Sequence, residues 1–394
     1  MPFMLTRSLA HEILHNWWAN GVFLDPSEGN WTEGLTTYMA DYGLAERDNE
    51  ETAWQMRLGW LRDFAALPDD RDRPVNSFRS KGHDADQVIG YNKVAMVFHM
   101  LKQRLGEEVF QAGLRDFWSA HRFKPAAWSD LKQSFETASG DKLDDFFEPW
   151  LTRKGAPSLS LDKAELRKSD PGFAIDLALS SDRPEYDLLI PVQIETSAGG
   201  VEERIIPLLN GKVEASLEVL EKPVSIGIDQ RHDLFRHLAE DEAPPILRDV
   251  TLAADTVTVV AGHDKQVATL GQILAERMLD TGVRLAAIGD EAARNAPVLL
   301  IGLRADLPEV FAEAGMTPPP KGLGGEGTAQ SWVAKRKDAP PILVVEAETN
   351  EALEAILRPL PHYGRQSFVV FEGGKAIDKG VWPTGDNALT KRFE

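Results

Sequence analysis

His11, Glu12 and His15 stand in the order H-E-x-x-H, a spacing that suggests a metal. On a helix, positions i and i+4 share a face, so both imidazoles can point at one ion. Neutral imidazole nitrogens suit zinc at about 2.0–2.1 Å. Glu12 sits one step round the helix, where it can take a proton from a metal-activated water without binding the metal. A pattern with three fixed positions also arises on ordinary surface helices, so the next segment matters. Asn30 to Tyr38 (NWTEGLTTY) reads as a second helix, and seventeen residues separate His15 from Glu33. That length allows an exit turn, a loop through Asp25-Pro26 and a return. Glu33 can then complete a site of three protein ligands with a fourth position open, the arrangement of catalytic rather than structural zinc. The plain alternative is a solvated carboxylate in the first turn of a helix.

The run HEILHNWW followed by WTEG resembles the gluzincin metallopeptidases of the membrane alanyl aminopeptidase family. The family pattern is H-E-x-x-H, an aromatic pair close behind, and N-E-G about eighteen residues later. Here Asn16-Trp17-Trp18 and Trp31-Thr32-Glu33-Gly34 match it, with Thr32 in place of Asn and a spacer one residue shorter. Gly90-Tyr91-Asn92-Lys93-Val94 resembles the family's Y-x-K-G segment, with Val94 in place of Gly. The resemblance makes Tyr91 the donor that hydrogen-bonds the tetrahedral oxyanion. A neutral phenol stabilises charge that develops only in the transition state. The plain alternative is a helix-start Tyr packed beneath the site. Trp150 to Pro157 (WLTRKGAP) resembles the family's exit from its helical domain into a β-sandwich.

The likeness covers roughly residues 1–235. It implies the helical half of a thermolysin-like catalytic domain. It also implies Zn2+ held by His11, His15 and Glu33, Glu12 as general base, and a peptide substrate trimmed from its amino terminus. Family members carry a β domain, a β half of the catalytic domain and a G-x-M-E-N strand before H-E-x-x-H. With His11 the eleventh residue, the expectation is a carboxy-terminal part of a longer chain, lacking the amino-terminal region of its parent. On that reading the isolated chain has low or no activity. The competing reading is a non-catalytic, zinc-containing fragment or interaction module.

Other candidates are weaker. Asp41 is a candidate partner for a ligating His. His99, eight residues after Tyr91, is a candidate outer neighbour of the site, with packing as the plainer role. Gly322 to Gly327 (GLGGEG) lacks the Lys-Ser/Thr ending of a phosphate loop and reads as a flexible connection.

Residues 1–155 read as helical, with Pro2 suited to a helix start and apolar residues at helical spacing in 52–67, 88–105, 109–123 and 143–151. Eight of the ten Trp residues fall in this segment, which predicts a core of large aromatics. From Ser158 the period changes to short alternating strands, with Gly199-Gly200 and Asn210-Gly211 as turns. A small antiparallel β-sandwich is expected over 156–240. From 246 to 394 apolar runs at 257–261, 283–288, 297–301, 342–346 and 367–371 alternate with helical stretches. That is the rhythm of an α/β layered domain with a parallel or mixed sheet. The expected class is therefore multidomain α+β. The composition, 43% hydrophobic and 27% charged over 394 residues, is that of a globular chain. A net charge of −19 argues against nucleic acid. No apolar run reaches the roughly 20 residues of a membrane span. The absence of Cys excludes disulfides, thiolate zinc sites and cysteine nucleophiles, and leaves the compartment open.

Overall fold

A computed structural model describes residues 8–239, 241–313, 323, 327–336, 339–384 and 387–393. Pro2, and the loop 318–327 apart from Leu323 and Gly327, lie outside the described residues. The architecture is mixed α+β with several sheets. The chain forms two compact units. The described residues of the first are 8–65, 72–239, 241–242 and 387–393; the second comprises 66–71 and the described part of 243–384.

The first unit begins with α1 (Leu9–Leu14), which carries H-E-x-x-H. The chain leaves it through β1 (Phe23–Leu24) and enters α2 (Thr32–Thr36), a π-helical turn (Thr37–Tyr42) and α3 (Gly43–Asp48), one continuous helical rod. The loop between α1 and α2 is pinned at its α2 end. The Asn30 carboxamide accepts from the Thr32 backbone N–H at 2.9 Å, and its amide donates to the Arg79 carbonyl at 2.9 Å. Gly29 has φ +104°, and a Cβ there would lie 2.8 Å from the Asn76 Cα, so only glycine fits.

Further helices follow: α4 (Glu50–Ala65), α5 (Asp84–Gln87), a second π-helical turn (Val88–Lys93), α6 (Val94–Leu105) and α7 (Glu107–His121). After β2 (Pro125–Ala126) come α8 (Trp128–Ser139) and α9 (Asp144–Thr152). β1 and β2 pair in parallel. The predicted aromatic core is present: Trp31, Trp60, Trp128 and Trp150 are all buried. The Trp31 indole N–H donates to the Ala126 carbonyl at 2.9 Å and ties the start of α2 to β2.

Two antiparallel sheets follow, from β3 (Leu159–Lys168), β4 (Phe173–Ser181), β5 (Leu188–Thr196), β6 (Val201–Leu208), β7 (Lys212–Val219) and β8 (Pro223–Ile228). One sheet has the order β3-β4-β7 and the other is built on β8-β5-β6. Inward residues alternate along β5, where Leu188, Ile190, Val192 and Ile194 are buried.

The second unit contains α10 (Arg248–Thr251), β9 (Val257–Val260), α11 (Lys265–Met278), α12 (Glu291–Asn295), β10 (Val298–Leu303) and α13 (Leu307–Glu313). It continues with β11 (Ala329–Arg336), β12 (Ala339–Ala347), α14 (Asn350–Ile356), β13 (Phe368–Glu372) and β14 (Lys375–Gly380). Its sheet is mixed, in the order β14-β13-β11-β12-β10-β9, with β9, β10 and β12 parallel.

Three expectations need correction. The strand expected at 283–288 is only a bridge: Thr258 bonds to the Arg284 carbonyl and the Ala286 N–H, and with Arg284 and Leu285 exposed the ladder goes no further. Strands β11 and β14 were not expected: β11 is buried despite Gln330 and Ser331, and β14 alternates few apolar residues. The expected domain 246–394 does not hold at its end. Thr390–Arg392 forms β15, which pairs antiparallel with β8 and completes a four-stranded sheet as β15-β8-β5-β6. The segment is too short and polar to announce itself, but it pairs the edge of β8 that faces away from β5.

Candidate metal centre

α1 presents His11 and His15 on one face, one turn apart, with ring centroids 4.8 Å apart. The returning rod brings Glu33 to them from its first turn. Glu33 Oε2 lies 3.4 Å from His11 Nε2 and 3.3 Å from His15 Nε2. Four bonds of about 2.05 Å at tetrahedral angles set neighbouring ligand atoms about 3.3 Å apart, so these separations match one zinc coordination sphere. Among the described residues this is the one group of three or more His, Cys, Asp or Glu close enough to hold an ion.

The imidazoles are held from behind. His11 Nδ1–H donates to Asp41 Oδ2 at 2.7 Å. His15 Nδ1–H donates to the Trp18 carbonyl at 2.9 Å, with Thr36 Oγ1 at 3.4 Å. A carboxylate and a carbonyl only accept, so each Nδ1 carries a hydrogen and each Nε2 faces Glu33. Asp41, weighed in the sequence as a partner for a ligating His, does contact His11. The Trp18 carbonyl was not anticipated, because a backbone group leaves no mark on residue type.

The electrostatics favour positive charge between these groups. Burial pulls the His11 imidazole down, but hydrogen bonds to Asp41 and Glu33 win and raise its pKa to about 9. His15 is raised by its hydrogen bond to Glu33, against burial. Burial pushes the Glu33 carboxyl up, yet hydrogen bonds from His11 and His15 hold it down at about 2.

Tyr91 reaches the cluster from the other side. Its ring stacks on His11, centroids 6.2 Å apart, and its hydroxyl donates to Glu33. Burial, then the negative charges of Glu33 and Glu12, push the phenol's pKa above its ordinary value, so it stays protonated. Tyr91 does not start a helix, as expected, but rides the π-turn inside a longer helical run from Asp84 to Leu105. The start lies earlier because Asp86 Oδ2 accepts the His83 backbone N–H at 3.0 Å. Asp41 also lies on a π-turn. One extra residue per turn rotates the rest of the helix and re-aims its side chains, and such turns are frequent at functional sites. The two helices touch closely: a Cβ at Gly34 would lie 2.0 Å from Val94 Cγ1.

Glu12 is exposed on α1, next to His11 in sequence. His99 is not at the site: it is buried, with Nε2 2.9 Å from Asp233 Oδ1.

Residues 4–150 match the peptidase family M1 domain. A stretch of 163 residues is 27% identical to probable aminopeptidase 1 of Sulfurisphaera tokodaii, covering 39% of this chain and 20% of that protein. Over 198 residues the chain is 28% identical to glutamyl aminopeptidase of Sus scrofa, covering 47% of this chain and 21% of that protein. Among solved structures, Legionella pneumophila aminopeptidase A in complex with aspartic acid aligns with 62% of this chain and 28% of its own, at 18% identity and a TM-score of 0.42. The chain thus spans about a fifth of the length of these curated relatives. Among the described residues no helix is long and apolar enough to cross a membrane.

Proposed function

We propose that this chain carries the metal-holding part of a zinc-dependent, aminopeptidase-like metallopeptidase acting on peptides. The observation that supports this reading above all is the convergence of His11, His15 and Glu33, with Glu33 Oε2 at the spacing of a tetrahedral edge from both imidazoles. The two imidazoles and one carboxylate are a donor set that suits zinc and leaves a position open. Zinc, when bound, supplies a Lewis acid that activates water at neutral pH and polarises a carbonyl.

The chain's own residues supply the rest. Asp41 and the Trp18 carbonyl fix ring orientation and tautomer. Glu12 takes the proton of the attacking water and passes it to the leaving amine. The Tyr91 phenol, kept protonated, exchanges its bond to Glu33 for one to the substrate oxygen as charge builds there.

A second reading has one observation in its favour. Leu9 and Ile13, one turn apart on α1, and Trp17 just after it are about half exposed at 50%, 50% and 46%. Such an apolar stripe suits a metal-containing interaction module. Metal analysis followed by turnover of amino-acid anilides separates the readings. Stoichiometric zinc with turnover lost in Glu12→Gln supports the peptidase. Stoichiometric zinc without turnover fits the module and equally the peptidase part expected to have low activity alone, so turnover is the result that decides for the peptidase. Protein that purifies without zinc and takes none up refutes both.

A further inference from the structure

Tyr91 is the one residue of its π-turn (Val88–Lys93) that is not buried. The turn is gripped on either side of it. Before Tyr91, a Cβ on Gly90 would lie 2.2 Å from Phe78 Cε1, so the backbone runs hard against that ring. After it, the Asn92 carboxamide donates to Asp63 Oδ2 on α4 at 2.9 Å. Lys93 follows, and it is 0% exposed. Its ammonium donates to the Gly155 carbonyl at 2.9 Å and to the Arg153 carbonyl at 3.4 Å, in the segment that leaves α9. The ring centroids of Phe64 and Phe235 lie 5.8 and 5.5 Å from it.

A buried ammonium is costly. Burial draws the Lys93 pKa down to about 8, with the charge of Asp72 opposing, so the side chain is still mostly charged at neutral pH. Methionine, of nearly the same length, would fill the space between Phe64 and Phe235 without that cost. What the ammonium adds is directed bonds to a fixed partner. The acceptor segment is held in its turn: the Gly155 N–H donates to Asp72, and Arg183 packs against Gly155, where a Cβ would lie 2.5 Å from its Nη2.

A π-turn needs such anchorage. It carries one residue more than an α-turn and is the rarer form. Relaxation to α geometry rotates what lies before the extra residue by about 100° relative to what lies after it. α6 cannot take up that rotation, because Val94 is wedged against Gly34. The swing therefore falls on Tyr91. It would break both the stacking of the ring on His11 and the bond from the hydroxyl to Glu33.

We propose that Lys93, backed by Asn92, is a positioning residue: its bonds to the segment after α9 hold the π-turn in register and so aim the Tyr91 phenol at His11 and Glu33. The proposal rests on the metallopeptidase reading, which gives Tyr91 its role at the metal. The test uses the full chain with 3-fluorotyrosine at all five Tyr positions. It is loaded with cobalt(II), which accepts the nitrogen and oxygen ligands of a zinc site. Tyr91→Phe identifies the Tyr91 fluorine signal, which in the parent is expected to carry a large paramagnetic shift. In Lys93→Met that signal is expected to lose about half of the shift or more, as a swing of about 100° carries the phenol away. Cobalt uptake, the other tyrosine signals and the melting temperature are expected to stay close to the parent's. Asn92→Leu is expected to give a smaller loss in the same direction, and it decides the matter if Lys93→Met misfolds. A folded Lys93→Met, or in its place a folded Asn92→Leu, that binds cobalt with the Tyr91 shift intact overturns the proposal and leaves the metal reading standing. A parent that takes up no cobalt overturns the metal reading and the proposal with it.

Discussion

Asp41 gives the sharpest test of how the metal centre is built. Its carboxylate meets His11 Nδ1 at 2.7 Å, with the two side chains only 18% and 12% exposed. This is a charge-assisted hydrogen bond, short and poorly screened. It orients one ligand and raises its basicity, and loss of such a partner typically weakens metal binding about 10- to 100-fold. Asp41→Ala is therefore expected to raise the zinc Kd by that factor, roughly 1.4–2.7 kcal/mol. Asp41→Asn keeps an acceptor without the charge and should fall between the two. The assay is competition for zinc against a chromophoric chelator at neutral pH, which needs no turnover. A melting curve measured on metal-free protein separates lost affinity from lost fold. If Asp41→Ala binds zinc within a factor of three of the parent while remaining folded, the orienting role is wrong, and the contact is only packing.

Gly34→Ala should destabilise the fold by about 1–3 kcal/mol through overpacking against Val94, seen as a lower urea midpoint, and Val94→Gly should restore part of it; an unchanged midpoint in Gly34→Ala refutes the close approach. Arg236→Ala strands Asp229 and Glu242, both bonded to it and buried, and should cost about 3–5 kcal/mol; a loss below 1 kcal/mol in urea unfolding would count against a buried network. His232 is held at about 3 by burial and then by the charge of Arg236, against an ordinary value of 6.5. Below pH 6.5 the unfolded chain takes up a proton that the folded chain refuses. Stability is therefore present above 6.5 and lost as pH falls toward 3, by up to about 1.4 kcal/mol per pH unit. The backbone of His232 has φ +55°, which Asn tolerates, so His232→Asn should show a flatter loss between pH 7 and pH 5; identical profiles refute the assignment.

Much of the centre was legible because its logic is local. His11 and His15 declare themselves by helical spacing, and the strands of the two antiparallel sheets by their alternation. Glu33 was readable only as a carboxylate able to return; its approach to within 3.4 Å depends on Asn30, Gly29 and Trp31, which fix a loop rather than perform chemistry. The π-turns beneath Asp41 and Tyr91 were not legible, since an i+5 hydrogen bond has no residue signature of its own. Nor was the carbonyl behind His15. β11 escaped because burial of Gln330 and Ser331 is decided by neighbouring strands: Gln330 Nε2 donates to Glu346 at 2.6 Å, a partner set by register and not by spacing.

β15 carries a consequence for biosynthesis. Apart from the short stretch 66–71, the second unit is formed by residues 243–384, so most of it is, topologically, an insertion before the first unit's strand β15. On the ribosome, β8 emerges early and waits with one side bare while the whole inserted unit is translated. Pairing of Thr390 with Gly227 is among the most non-local ladders in the molecule, and ladders of that kind form slowly. Until it forms, the nascent chain displays an open strand, the feature most apt to recruit chaperones or a neighbouring nascent chain.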